Sequence, residues 1–172
     1  MKQFQWGILG AGFAAERFVH GLRAASNAKA VVVASRSFTR AQEFARGCGI
    51  ARAVGSCEEA GRDGEVDAFY VATPPSLHRD HAVLCLNAGK PVLIEKPFAI
   101  NGGQAREIIE AARTRSVFCM EAMWTRFLPV TVQVRQWLAE KAIGEVRMMT
   151  ADFGFRGRLD AKSRLFNPDL AG

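Results

Sequence analysis

Glu95-Lys96-Pro97 ends the apolar run Val92-Leu93-Ile94 with an acid, a base and a residue that cannot donate a ladder hydrogen bond. Three consecutive aliphatic residues read as a strand buried on both faces, so the two charges fall at its carboxyl end. A solvated ion pair is the plain explanation. The chemical one has Lys96 hydrogen-bonding a substrate hydroxyl and relaying its proton while hydride leaves the carbon. Glu95 would then orient the ammonium and keep it charged.

A second group of residues has phosphate chemistry. Gly10-Ala11-Gly12-Phe13-Ala14-Ala15 matches G-x-G-x-x-A between a strand-like run and a helical one. Gly10 permits a tight turn, Gly12 lets a pyrophosphate approach the backbone, and Ala15 permits close helix–strand packing. The helix start adds free N–H groups and a partial positive charge. The next strand decides between dinucleotides. An acid at its end would hold the ribose 2′-OH, but the residues there are Ser35-Arg36-Ser37-Phe38-Thr39-Arg40. Guanidinium and hydroxyl groups suit a 2′-phosphate, which a carboxylate would repel. Arg36 can also stack on adenine. The expected cofactor is NADP(H), with NAD(H) as the alternative and an exposed turn arginine as the plain reading.

His78-Arg79-Asp80-His81 has the look of a metal cluster. On a helix, however, His81 falls on the apolar stripe and His78 in the first turn, and no third ligand is visible. Packing and first-turn hydrogen bonding are preferred, no metal is expected, and His20 has no role.

These residues need a scaffold. Strands are predicted over 4–9, 29–35, 50–54, 66–72, 92–96 and 117–121. Helices are predicted over 14–25, 38–47, 57–62, from Ser76 to Gly89, and after Asn101. Phe38, Phe44, Ile108 and Ile109 are expected to face inward. So are Leu77, His81, Leu84 and Cys85, with Ser76 as the cap of their helix. The alternation predicts an α/β fold, a doubly wound parallel sheet. Thr73-Pro74-Pro75 then ends a strand at the same edge as the glycine turn and Lys96, where open sheets bind ligands. Beyond Trp124 the rhythm changes. A helix over 128–141 with Val130, Val134, Trp137 and Leu138 inward precedes an alternating segment, 145–155, expected to be a strand.

The 172 residues, 49% hydrophobic and 23% charged, have the composition of an ordinary globular protein. Lys+Arg 23 against Asp+Glu 17 gives +6, but the bases are scattered rather than clustered, which argues against a nucleic-acid surface. Cys48, Cys57, Cys85 and Cys119 form no C-x-x-C pair and read as reduced thiols, some of them core filler. No run is long enough to span a membrane and no leader is visible, so the cytoplasm is expected.

The G-x-G-x-x-A, the run TPPSLHRDHAVLCLNAGKPVLIEKP and the tail RLFNPDLAG resemble the glucose–fructose oxidoreductase/inositol dehydrogenase (Gfo/Idh/MocA) family along the whole chain. Residues 120–128 (MEAMWTRFL) are most similar to its branch of dimeric dihydrodiol dehydrogenases and NADP-dependent xylose dehydrogenases. The resemblance implies a Rossmann domain over 1–122. Residues 123–172 would start an α+β domain with an open antiparallel sheet. It implies that Lys96 is catalytic and lies at the cofactor. The other implied cofactor contacts are Gly10, Gly12, Phe13, Ala14, Arg36, Thr73, Pro74, His78 and Glu95. Trp124 would wall the substrate site by the same resemblance, and Phe155 by its position.

Family members run further, with a D-x-G segment and a Tyr or His at the active site, whereas this sequence stops at Ala171-Gly172. The expectation is an N-terminal portion, inactive alone, of a dimeric enzyme. It would move a hydride between NADP(H) and a secondary alcohol or carbonyl of a sugar, polyol or cyclic trans-diol. A small-molecule substrate is the expected partner, not nucleic acid or membrane. The rival reading is a non-catalytic NAD(P)-binding sensor, which would have no need of Lys96.

Overall fold

β1 (Phe4–Leu9) reaches the core at its carboxyl half, where Ile8 and Leu9 are fully buried. In this computed structural model, residues 3–154, 156–157, 160 and 166–167 are described. Gly10 turns at φ +103, in the left-handed region that favours glycine. α1 (Phe13–Arg23) follows and buries Ala15 and Val19. β2 (Ala28–Ala34) holds the β-branched Val31, Val32 and Val33, all buried. α2 (Phe38–Cys48) opens with Ser37 Oγ accepting from the Arg40 N–H at 3.3 Å and closes on Gly49 at φ +68. β3 (Arg52–Val54), α3 (Cys57–Gly61), β4 (Ala68–Val71), α4 (His78–Asn87), β5 (Val92–Ile94), α5 (Gly102–Arg115) and β6 (Cys119–Glu121) complete the alternation.

The six strands are ordered β3-β2-β1-β4-β5-β6, and every pairing is parallel. The order reverses between β1 and β4, which opens a crevice at the carboxyl ends of those strands. Alternating side chains feed two layers. Leu9, Val32, Phe69, Val71 and Ile94 pack with Ala60, Leu86 and Ile108 of α3, α4 and α5. Ile8, Val33 and Tyr70 pack with Ala15, Val19 and Ala45 of α1 and α2. Each fully buried aliphatic side chain contributes about 1.5–3 kcal/mol. The expected doubly wound sheet is present.

Several local expectations are corrected. Ser76 does not cap α4. It sits inside a 3-10 turn, Pro75–Leu77, and α4 begins at His78 without a side-chain cap. The face α4 buries is His78, Ala82, Cys85 and Leu86, so His78 lies deeper than His81. Phe38 and Ile109 are exposed, while the smaller Ala41, Ala45 and Ala112 face the sheet closely. After Ala122 the chain makes a 3-10 turn, Trp124–Phe127, and α6 (Pro129–Ala139). Val130, Val134, Trp137 and Leu138 of α6 are exposed, not inward, because the short turn Trp124–Phe127 that packs on α6 leaves them uncovered. Residues 145–154 form no strand, since no described segment pairs with them and an unpaired strand gains no ladder bonds. No antiparallel sheet is present among the described residues. No helix among them is long and apolar enough to cross a membrane.

Candidate active site

A groove of about 1110 Å³ runs along the carboxyl edge of the sheet, across the reversal point. Gly10, Gly12, Phe13, Ala14, Ser35, Arg36, Arg40, Thr73, Pro74, His78, Glu95, Lys96 and Trp124 all line it. Residues named from distant parts of the sequence thus meet in one cavity. Ser37 is the exception: it does not line the groove, and its exposed hydroxyl caps α2. Phe155 lies outside the described residues.

The turn between β1 and α1 fits a dinucleotide. A Cβ on Gly10 would come within 2.6 Å of Ala72 O, so this glycine is needed for packing as well as for its backbone angle. A Cβ on Gly12 would meet nothing within 4 Å, so the space above it is open. The first backbone bond of α1 runs from the Glu16 N–H to Gly12 O at 3.0 Å. The N–H groups of Phe13, Ala14 and Ala15 are therefore without intrahelical partners, beside that open space. An anion is what such a helix start accommodates.

At the end of β2, Ser35 Oγ accepts from the Ser37 N–H at 3.4 Å. Arg40 Nε donates to Ala11 O at 3.1 Å, which ties the start of α2 to the glycine turn. Arg36 is exposed and pairs with no acid among the described residues, so its guanidinium is available. Arg17, one helical turn past Phe13, also lines the groove, with its guanidinium 5.0 Å from the Phe13 ring centroid. The i, i+4 spacing of Phe13 and Arg17 was the available signal for it.

Glu95 does not pair with the Lys96 ammonium, contrary to expectation. Neighbouring residues leave a strand on opposite faces, and the Glu95 carboxylate turns to the Tyr70 side. Its Oε1 accepts from the Tyr70 hydroxyl and its Oε2 from the Lys96 N–H at 3.2 Å. Burial, then the bond to Glu95, holds the Tyr70 hydroxyl far above the ordinary phenol range, so it keeps its proton and donates it to the Glu95 carboxylate. Tyr70 stacks on Phe18 with ring centroids 4.0 Å apart. It escaped the sequence reading, although a hydroxyl inside a buried strand must find a partner. Lys96 is half-buried, with no acid paired to its ammonium among the described residues.

Around this turn, both ring nitrogens of His78 meet main-chain oxygens, those of Pro97 and Thr73, each at 2.8 Å. His78 therefore has no ring nitrogen left for a cofactor, although it lines the groove. His81 Nδ1 lies 3.0 Å from Thr73 Oγ1, and burial pushes His81 below its ordinary value. No described cluster of three His, Cys, Asp or Glu could hold a metal ion. Burial also pushes the Cys57 thiol, at the groove's edge, up to about 12. Met120, Trp124 and Phe127 add apolar side chains to the lining of the same groove as Lys96.

The family model described as an oxidoreductase family with an NAD-binding Rossmann fold matches residues 4–123. Trans-1,2-dihydrobenzene-1,2-diol dehydrogenase of Mus musculus is 42% identical over 153 residues, which cover 88% of this chain and 46% of that one. The Xenopus laevis protein of the same name is 43% identical over 152 residues, covering 87% and 46%. The chain thus spans about half the length of the curated relatives it matches. Among solved structures, an NAD-binding oxidoreductase from Klebsiella pneumoniae superposes with TM-score 0.79 at 28% identity, covering 83% of this chain and 40% of that one. KijD10, a 3-ketoreductase from Actinomadura kijaniata in complex with TDP-benzene and NADP, superposes with TM-score 0.76 at 32% identity, covering 85% and 45%. A glycine turn before α1, an open carboxyl edge and a Glu-Lys-Pro turn inside one groove agree with these matches, and the chain belongs to the Gfo/Idh/MocA oxidoreductase family.

Proposed function

We propose that the chain forms the cofactor-binding and proton-relaying part of an NADP(H)-dependent oxidoreductase. Its substrate is a secondary alcohol or ketone of a sugar, a polyol or a cyclic trans-diol. The observation that carries the reading is the presence of Lys96 in the same groove as the open Gly12 turn and the Arg36 and Arg40 guanidiniums. A bound nicotinamide dinucleotide supplies the hydride acceptor or donor. The chain's own residues do the rest. The α1 start holds the pyrophosphate, and Arg36, Arg40 and Ser35 hold the 2′-phosphate. Lys96 donates an N–H to the substrate oxygen and holds or returns the proton as the C–O bond order changes. Met120, Trp124 and Phe127 cover the apolar side of the substrate and exclude water.

The diol dehydrogenase relatives and the NADP-bound 3-ketoreductase support both the reaction class and the cofactor. A levoglucosan dehydrogenase in complex with NADH, at TM-score 0.78 and 25% identity, keeps the NAD(H) alternative open to test. Titrating NADPH and NADH by quenching of the tryptophans separates them. NADPH should bind more tightly, and Arg36→Ala should abolish most of the difference. Equal affinities in the wild type would overturn the NADP(H) assignment. Lys96→Ala in the full-length protein should lower kcat by about 10²–10⁴-fold while cofactor affinity holds. A near-normal kcat would remove Lys96 from the chemistry and favour the sensor.

A further inference from the structure

The ring of His78 sits between two carbonyl oxygens. Nδ1 lies 2.8 Å from Pro97 O and Nε2 lies 2.8 Å from Thr73 O. His78 is 1% exposed, so bulk solvent reaches neither nitrogen. A carbonyl oxygen only accepts, and a neutral imidazole has one N–H and one bare lone pair. With a single proton, one of the two contacts would set lone pair against lone pair in a buried place. Both are hydrogen bonds only when the ring carries two protons. We infer that His78 is a buried imidazolium that ties the turn after β4 to the turn after β5 and so positions Lys96 in the groove. The inference rests on the reading of Lys96 as the proton-relaying group.

The surroundings agree with this role. Pro97 directly follows Lys96, so a bond to its carbonyl fixes the Pro97–Phe98 peptide, one residue past the lysine. On the other side of the sheet, Tyr70 holds Glu95, and Glu95 Oε2 accepts the Lys96 N–H. The Phe98 N–H donates to Glu121 Oε1 at 2.9 Å. The backbone around Lys96 is thus held from several elements, and the His78 bridge joins it to Thr73, at the glycine turn's side of the groove. Charge-assisted bonds are the shorter and stronger class, which suits a ring with two acceptors and no water. His81, one turn along α4, has the opposite character. Burial lowers it first, and the charges of His78 and Arg36 lower it further against Glu58 and Asp80. One histidine stays neutral beside Thr73 Oγ1 while the other carries the charge. Of the elements packed on α4, α3 carries Glu58, β4 carries Tyr70, the end of β5 carries Glu95 and Lys96, and α5 carries Glu107, already paired with Arg79. Because both nitrogens are occupied, His78 is a positioning residue and not a catalytic one.

The ring can be observed directly. The chain has 3 histidines, so a His20→Gln/His81→Gln background leaves His78 as the sole imidazole, and its signals can then be located in the wild type. Nitrogen NMR at neutral pH should show two protonated ring nitrogens. One protonated and one bare nitrogen would overturn the bridge and leave the reading of Lys96 to its own test. In the full-length protein, His78→Phe and His78→Gln should lower kcat by up to about 10²-fold, the cost of misplacing a reacting group, with NADPH affinity kept. A folded His78→Phe protein with normal kcat would also overturn the proposal. If neither variant folds, the ring spectrum of the wild type decides. A normal kcat in Lys96→Ala would instead sink the proton-relay reading while the doubly protonated ring remained.

Discussion

Two glycines of the same turn separate folding from binding. Gly10 has φ +103 and its missing Cβ would collide with Ala72 O, whereas Gly12 is in extended backbone and its missing Cβ faces open space. Gly10→Ala should therefore destabilise the chain by more than the ~1 kcal/mol typical of a point change, with any binding defect secondary. Gly12→Ala should leave the melting temperature unchanged and weaken NADPH binding, since the methyl fills the approach to the helix start. Paired thermal melts and titrations check this, and a large stability loss in Gly12→Ala would refute the division. His81 gives a second residue-level test. Burial lowers it from its ordinary 6.5, so on acidification the unfolded chain takes up a proton before the folded one does. Stability should fall as pH drops through about 6.5, because the unfolded state then binds more protons. The fall should be shallower in His81→Gln, and denaturant melts at several pH values across that window measure the difference.

Elements written in local signals were legible, and contacts between elements were not. Periodicity and turn chemistry placed all six strands, because valine runs, glycine stops and the G-x-G-x-x-A turn are local. The same signals brought Gly12, Arg36 and Lys96 to one edge, since parallel strands put their ends together. The partners of His78 and of Tyr70 were illegible. Pro97 lies 19 positions from His78 and Glu95 lies 25 from Tyr70, and no spacing rule links such pairs. For α6 the period was right and the burial wrong, because a stripe shows that a face wants a partner without showing that one is present. Hydrogen exchange should follow this line. Amides of β1, β2, β4 and β5 should exchange only through rare opening, and those of 145–154 within the dead time of the experiment, having no ladder bonds. Strong protection across 145–154 would show that a second copy pairs with that segment.

At the scale of the whole molecule, the groove connects cofactor preference to global stability. A ligand that binds only the folded chain stabilises it by RT ln(1 + [L]/Kd), about 2.7 kcal/mol at a hundredfold excess over Kd. For a chain of this size each kcal/mol moves the melting temperature by about 2–4 °C, so saturating NADPH should raise it by roughly 5–10 °C. NADH at the same concentration should raise it less, because Arg36 and Arg40 meet no 2′-phosphate. The gap should close with salt. Both guanidiniums are exposed, and at 1 M ionic strength the screening length is about 3 Å. Arg36→Ala should bring the NADPH shift down toward the NADH shift at low salt and change the NADH shift little. Melts of wild type and variant with each nucleotide, at low and high salt, contain the whole test. If both nucleotides shift the wild type equally at low salt, the end of β2 does not read the 2′-phosphate.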